Sequence, residues 1–155
     1  MNYTAERAWV GVDPGKAGCA ALVDQNGEIE LHDFQGVTLA AECLRDSRSR
    51  YRLELVALEA VHGFKGQGVS STFAFGRNAG AWEGLLAGLG IPFVLVKPQA
   101  WQKGLFAKAD GKDSKTQSLS VARRLYPDAD LSLKRHHNRS DALLLADYAR
   151  RRSAT

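Results

Sequence analysis

The sequence predicts an α/β fold: a five-stranded mixed sheet, made of a three-stranded antiparallel meander and two further parallel strands, with helices on its flanks. Two observations carry this. Three short β runs open the chain with only turn residues between them, and after them helical stretches alternate with short apolar runs, the pattern of parallel crossovers. With 155 residues, one domain spanning 1–155 can bury its core without disulfide or metal staples.

Residues 8–13 and 18–24 are the first two strands, joined by the tight turn Pro14-Gly15-Lys16. Gln25-Asn26-Gly27 is a hairpin signal before the third strand, 28–34. Thr38 is the expected N-cap of a helix over 39–49, and the apolar run 53–59 then makes a central strand. Residues 60–69, with Gly63, Gly66 and Gly68, read as a mobile loop. Ser70 or Ser71 caps a helix to Leu89 in which Gly76, Gly80, Gly84 and Gly88 recur every fourth residue. Each of these costs up to about 1 kcal/mol of helix propensity against alanine. The stripe therefore calls for a close backbone neighbour: packing within the chain is the favoured reading, a second subunit its rival.

Gly90 ends that helix, and 92–96 is the last strand. Beyond it, 97–103 is a loop or short helix and 107–112 a mobile polar stretch. Asp113 or Ser114 begins a helix to Leu125, stopped at Tyr126-Pro127. Residues 128–137 look irregular, and the final helix starts between Asn138 and Ser140.

Three acids stand out against this frame. Asp13 ends the apolar run Ala8-Trp9-Val10-Gly11-Val12, Glu59 ends the run Leu53 to Leu58, and Asp141 opens the amphipathic segment to Arg150. A carboxylate at the end of a buried strand is costly unless it meets a cation, a donor or a metal. Three of them, spread over the whole chain, suggest a divalent-metal site.

The formal net charge is +4, unevenly placed: Lys97, Lys103, Lys108, Lys112, Lys115, Arg135 and Arg139 all lie in the second half. A basic half beside an acidic site suits a polyanion whose backbone is held by cations while metal ions act on one phosphate. Cys19 and Cys43 have no CxxC or Cys/His spacing and read as reduced core thiols. No apolar run reaches the ~20 residues that cross a bilayer. The first residues, Met1-Asn2-Tyr3-Thr4, lack a signal peptide's apolar stretch. A cytoplasmic protein, or one of the host cytoplasm if phage-encoded, with no membrane partner is expected.

Four segments resemble one family in order and wording: Gly11-Val12-Asp13-Pro14-Gly15, Leu58-Glu59-Ala60-Val61, Gly76-Arg77-Asn78-Ala79-Gly80 and Ser140-Asp141-Ala142-Leu143-Leu144-Leu145-Ala146. They resemble the RuvC-type Holliday junction resolvases of the ribonuclease H-like superfamily, in their short, phage-like form. The resemblance implies a ribonuclease H-like fold and a structure-selective endodeoxyribonuclease that resolves four-way DNA junctions by paired nicks. It also implies a homodimer, because two strands must be cut and one small domain offers one site.

In that family four side chains hold two divalent cations, Mg²⁺ or Mn²⁺, and three carry over onto Asp13, Glu59 and Asp141. The fourth falls in His136-His137-Asn138-Arg139-Ser140, where the family usually has another acid. His137, four residues before Asp141, and Asn138, three before it, can both share its helical face. His137 is preferred, since imidazole is the better metal ligand. The resemblance further makes Lys115 and Lys103 basic residues near the scissile phosphate. It makes Phe64 and Lys65 a wedge at the junction centre, beside His62. Lys112 and Arg139 are expected among the DNA contacts.

The rival readings are another nuclease of the same fold, acting on branched DNA, flaps or RNA:DNA hybrid; a sugar-kinase or actin-like ATPase, which needs two such domains; and a DNA-binding module without activity, which three intact acids argue against.

Overall fold

The computed structural model describes residues 5–60, 66 and 68–154. Its sheet has strands β1 (Glu6–Asp13), β2 (Cys19–Asp24), β3 (Ile29–Asp33), β4 (Tyr51–Glu59) and β5 (Phe93–Val96) in the order β3-β2-β1-β4-β5. The first three pair antiparallel, and β4 lies parallel to both β1 and β5. This is the mixed sheet expected. The β2–β3 turn closes on Asp24, whose carboxylate accepts the backbone N–H groups of Asn26 and Glu28, with Gly27 at φ 89°.

Helices α1 (Val37–Arg50) and α2 (Val69–Gly88) lie on one face of the sheet, and α3 (Pro98–Gln102), α4 (Ser114–Leu125) and α5 (His137–Ser153) on the other. Alternation along β1 decides which side chains go where. Ala8, Val10 and Val12 enter the core under α1 and α2, and Trp9 enters the core under α4 and α5. Gly11 faces α5 with no side chain. A β-carbon there would stand 1.9 Å from the Ala142 carbonyl oxygen and 2.3 Å from the Ala146 nitrogen. Only glycine lets the α5 backbone rest on the strand, and the fully buried run Ala142 to Ala146 is the result.

Four expectations are corrected. The cap of α1 is Gly36, at φ 106°, and not Thr38; a left-handed backbone sets the entry that a hydroxyl was expected to set. α2 starts at Val69 after Gly68 rather than after a serine cap. The stretch 107–112 contains a 3₁₀ turn, Lys108–Asp110, pinned because Asp110 accepts the Ala107 N–H at 2.8 Å and pairs with Arg124 at 2.9 Å. The glycine stripe does not pack within the chain: a β-carbon on Gly76, Gly80, Gly84 or Gly88 would meet nothing within 4 Å among the described residues. Only Trp82 and Leu86 of α2 are buried, while Val69 and Phe73 are exposed. The cap of α4 agrees with expectation: Asp113 accepts the Thr116 N–H at 2.9 Å. Both cysteines are free.

Candidate active site

Strand register brings the first two acids together. Val12 pairs with Leu58 in parallel, so Asp13 and Glu59 are the next residues on adjacent strands, whose backbones run ~4.8 Å apart. Both side chains leave on the α5 side, two residues beyond Gly11 and Ala57 respectively. Asp141 sits in α5 one turn after its first residue, next to the Ala142 that rests on Gly11. One glycine therefore sets the depth at which the third acid reaches the other two.

The three carboxyls feel one another. Burial raises the Asp13 carboxyl above its ordinary range, against the pull of the Gly15 N–H and the nearby His137. Burial, then the charge of Asp13, pushes Glu59 up to about 7. Burial also pushes Asp141 up to about 8, with the Ser118 hydrogen bond opposing, Asp13 and Glu59 adding, and Lys115 subtracting. Acids arranged to hold protons near neutrality are strained as anions, and a cation between them relieves the strain.

Each acid also has its own donor. The Gly15 N–H donates to Asp13 Oδ1 at 3.0 Å, the Trp101 indole Nε1 to Glu59 Oε1 at 3.1 Å, and the Ser118 hydroxyl to Asp141 Oδ1 at 2.5 Å. Ser118 and Ser140 are fully buried and lie Oγ to Oγ at 2.7 Å, and Ser140 donates to the His137 carbonyl at 2.8 Å. Among the described residues no three His, Cys, Asp or Glu side chains are gathered closely enough to hold an ion as they stand. The acids face one another across a shared field, each tied to its own donor.

The donor set fits divalent cations that prefer oxygen: three carboxylates, with one imidazole beside Asp13. His137 opens α5, one turn ahead of Asp141, with its Nδ1 3.3 Å from the Lys134 carbonyl. Asn138 is occupied elsewhere, its side-chain nitrogen donating to the Ala17 carbonyl at 2.5 Å. Of the two, His137 is the one whose charge Asp13 feels. Lys115 is exposed on the first turn of α4 with its charge felt by Asp141. Lys103, just past α3, and Lys112, just before α4, are exposed.

Arg139 departs from expectation. Its guanidinium grips Asp33 through two bonds, 2.8 and 2.6 Å, and Asp130 at 2.7 Å, fastening α5 to the end of β3. A planar fork already holding two carboxylates is a structural clamp, not a free phosphate contact. Phe64, Lys65 and His62 lie outside the described residues. Sequence reasoning missed Trp101, Ser118 and Ser140. A serine on the buried face of α4, beside Leu119 and Ala122, is the signal that could have found Ser118.

Among solved structures the chain is similar to T. thermophilus RuvC in complex with Holliday junction substrate, with 17% identity, 90% of each chain covered and a TM-score of 0.61. The fold is that of RuvC. A second structure of Thermus thermophilus RuvC matches with 19% identity, 90% of each chain covered and a TM-score of 0.56. The RuvC fold is the ribonuclease H-like one expected, with its five-stranded mixed sheet and flanking helices. Among curated proteins the chain is 40% identical over 76 residues to the chloroplastic Holliday junction resolvase MOC1 of Chlamydomonas reinhardtii. That match takes in 46% of the chain, which spans only 8% of the relative's length. No family model matches the chain. Among the described residues no helix is long and apolar enough to cross a membrane.

Proposed function

We propose that this protein is a structure-selective endodeoxyribonuclease that resolves four-way DNA junctions by paired, symmetric, metal-dependent nicking. The observation that carries the reading is the placement of Asp13, Glu59 and Asp141 on one side of the sheet, at the ends of the paired strands β1 and β4 and in the α5 helix that rests on Gly11, on a RuvC fold.

Two divalent cations, Mg²⁺ or Mn²⁺, held by Asp13, Glu59, Asp141 and His137 would activate water and offset charge on the scissile phosphate in an in-line displacement. The chain's own residues do the rest. Asp13, at the end of the central strand β1, whose last six residues are all buried, is the most rigid perch of the four. Trp101 and Ser118, each donating to one oxygen of Glu59 and of Asp141, would orient those carboxylates and leave the other oxygen of each for a cation. Lys115, Lys103 and Lys112 line the approach of the DNA backbone and help hold its phosphates. Phe64 and Lys65, in the segment after Glu59, are where a wedge at the junction centre belongs.

Two strands must be cut, so the active form is a homodimer. The exposed side of α2, with Val69, Phe73 and four glycines whose β-carbon positions are open, offers the face for a second copy. Light scattering should return twice the chain mass. A panel of labelled four-way junction, flap, RNA:DNA hybrid and linear duplex tests the substrate. Preferential, paired cutting of the junction supports the reading, and preference for flap or hybrid assigns the chain to another nuclease activity on the same fold.

A further inference from the structure

On the sheet face opposite the acids, β3 and α1 bring together a thiol, an imidazole and a carboxylate. Ile29 and Leu31 pack toward α5, so Glu30 and His32, alternating with them, point the other way. The Arg50 guanidinium holds Glu30 with bonds of 2.5 and 2.8 Å and the Tyr51 hydroxyl adds one of 3.2 Å. Led by the Arg50 bond, these contacts pull the Glu30 carboxyl down to about 2. An ionised carboxylate only accepts, so the His32 Nε2, 3.3 Å from Glu30 Oε2, carries the ring proton and donates it. In the neutral ring the other nitrogen, Nδ1, carries the lone pair, and Cys43 Sγ lies 3.8 Å from it. That is the order nucleophile, base, orienting acid.

Cys43 and His32 border a cavity of about 380 Å³ with apolar walls that include Leu22, Phe34, Leu39 and Leu44. The size is that of a small-molecule site. Trp82 also lines it, and its indole N–H is buried with no hydrogen-bond partner.

We propose that Cys43, with His32 and Glu30, is a modification site that captures a small apolar α,β-unsaturated carbonyl compound held in this cavity. Burial, with Asp46 and Glu42 adding, pushes the Cys43 thiol up, so no thiolate stands ready and the imidazole must act as attack proceeds. The S–H proton passes to His32 Nδ1 while the sulfur pair forms the C–S bond at the β-carbon. The double-bond pair moves toward the carbonyl as an enolate, and the imidazolium returns its proton to the α-carbon. Addition needs no leaving group and no oxidant. Cys19 is the internal contrast: it is fully buried, and burial first of all pushes its thiol up to about 12.

The test is intact-protein mass spectrometry with peptide mapping, using the full chain, 2-cyclohexen-1-one as the apolar probe and acrylamide as the polar one. The site predicts one adduct, at Cys43, with a rate that levels off as cyclohexenone rises and falls when saturated cyclohexanone is added. Acrylamide should react without levelling off. His32→Gln should slow capture by about a hundredfold or more, the lower edge of a general base's worth. Leu39→Trp, a change at a half-exposed wall position, narrows the cavity and should slow cyclohexenone alone. No adduct on the native chain, a rate linear in cyclohexenone and indifferent to cyclohexanone, or equal rates in His32→Gln would each overturn the proposal.

Discussion

Gly11 and Ala142 touch backbone to backbone: a β-carbon on the glycine would stand 1.9 Å from the Ala142 carbonyl oxygen. The contact joins the strand that ends on Asp13 to the helix that begins beside Asp141. It fixes the separation of two acids through a residue that carries no chemistry. Gly11→Ala should therefore cost about 3 kcal/mol or more, the upper range of overpacking, because both clashing atoms are backbone and cannot step aside. Urea unfolding reads this directly, and a loss under about 1 kcal/mol would mean that α5 rests more loosely than the structure has it.

Stability should fall as pH rises when divalent cations are removed with chelator. Glu59 is raised from 4.5 to about 7 and Asp141 from 3.8 to about 8, so between those limits the folded chain binds more protons than the unfolded one. The slope of unfolding free energy with pH has the sign of protons bound unfolded minus folded, here negative. The contribution is intact below about pH 4 and is lost progressively toward pH 8. Thermal melts in chelator across that window should decline, and Asp141→Asn should flatten the decline. A native protein that gains stability from pH 5 to 8 would contradict the shifts.

Ser118→Ala removes the buried donor that orients Asp141 without touching an acid. Loss of such an outer partner typically weakens metal binding 10–100-fold. Calorimetric titration with Mn²⁺ should show a drop of that size in the variant, and unchanged affinity would make Ser118 a packing residue only.

If the proposed nuclease holds its cations with His137 as the fourth ligand, the imidazole should tilt it toward Mn²⁺ over Mg²⁺. At matched concentrations, turnover should be greater in Mn²⁺, and His137→Asp should shift the preference back toward Mg²⁺. Equal or better turnover of the unaltered chain in Mg²⁺ counts against His137 as a ligand.

The sheet was legible because its signals are local: turn residues at Pro14-Gly15 and Asn26-Gly27, and apolar runs that end on acids. The three acids were legible for the same reason, each closing or opening a periodic segment. What could not be read depends on partners far apart in the chain. Arg139 looks like any exposed cation until Asp33, 106 positions earlier, folds against it. The glycines of α2 announce close approach by something, but the spacing is the same whether the neighbour is this chain's sheet or another molecule, and the sheet is not there. Ser118 and Trp101 gain meaning only from the acids they meet, 23 and 42 positions away. The Cys43–His32 contact was hidden likewise, since neither residue lies in a motif with recognisable spacing.

The central claim, that Asp13, Glu59 and Asp141 act together on a DNA phosphate, is tested most directly by single-turnover cleavage of an end-labelled four-way junction in Mn²⁺. The native chain should nick opposing strands at symmetric positions. Asp13→Asn should bind the same junction in a gel-shift titration with unchanged affinity and leave it uncut. Cleavage by Asp13→Asn at the native rate, or no cleavage by the native chain in either Mn²⁺ or Mg²⁺, would contradict the account.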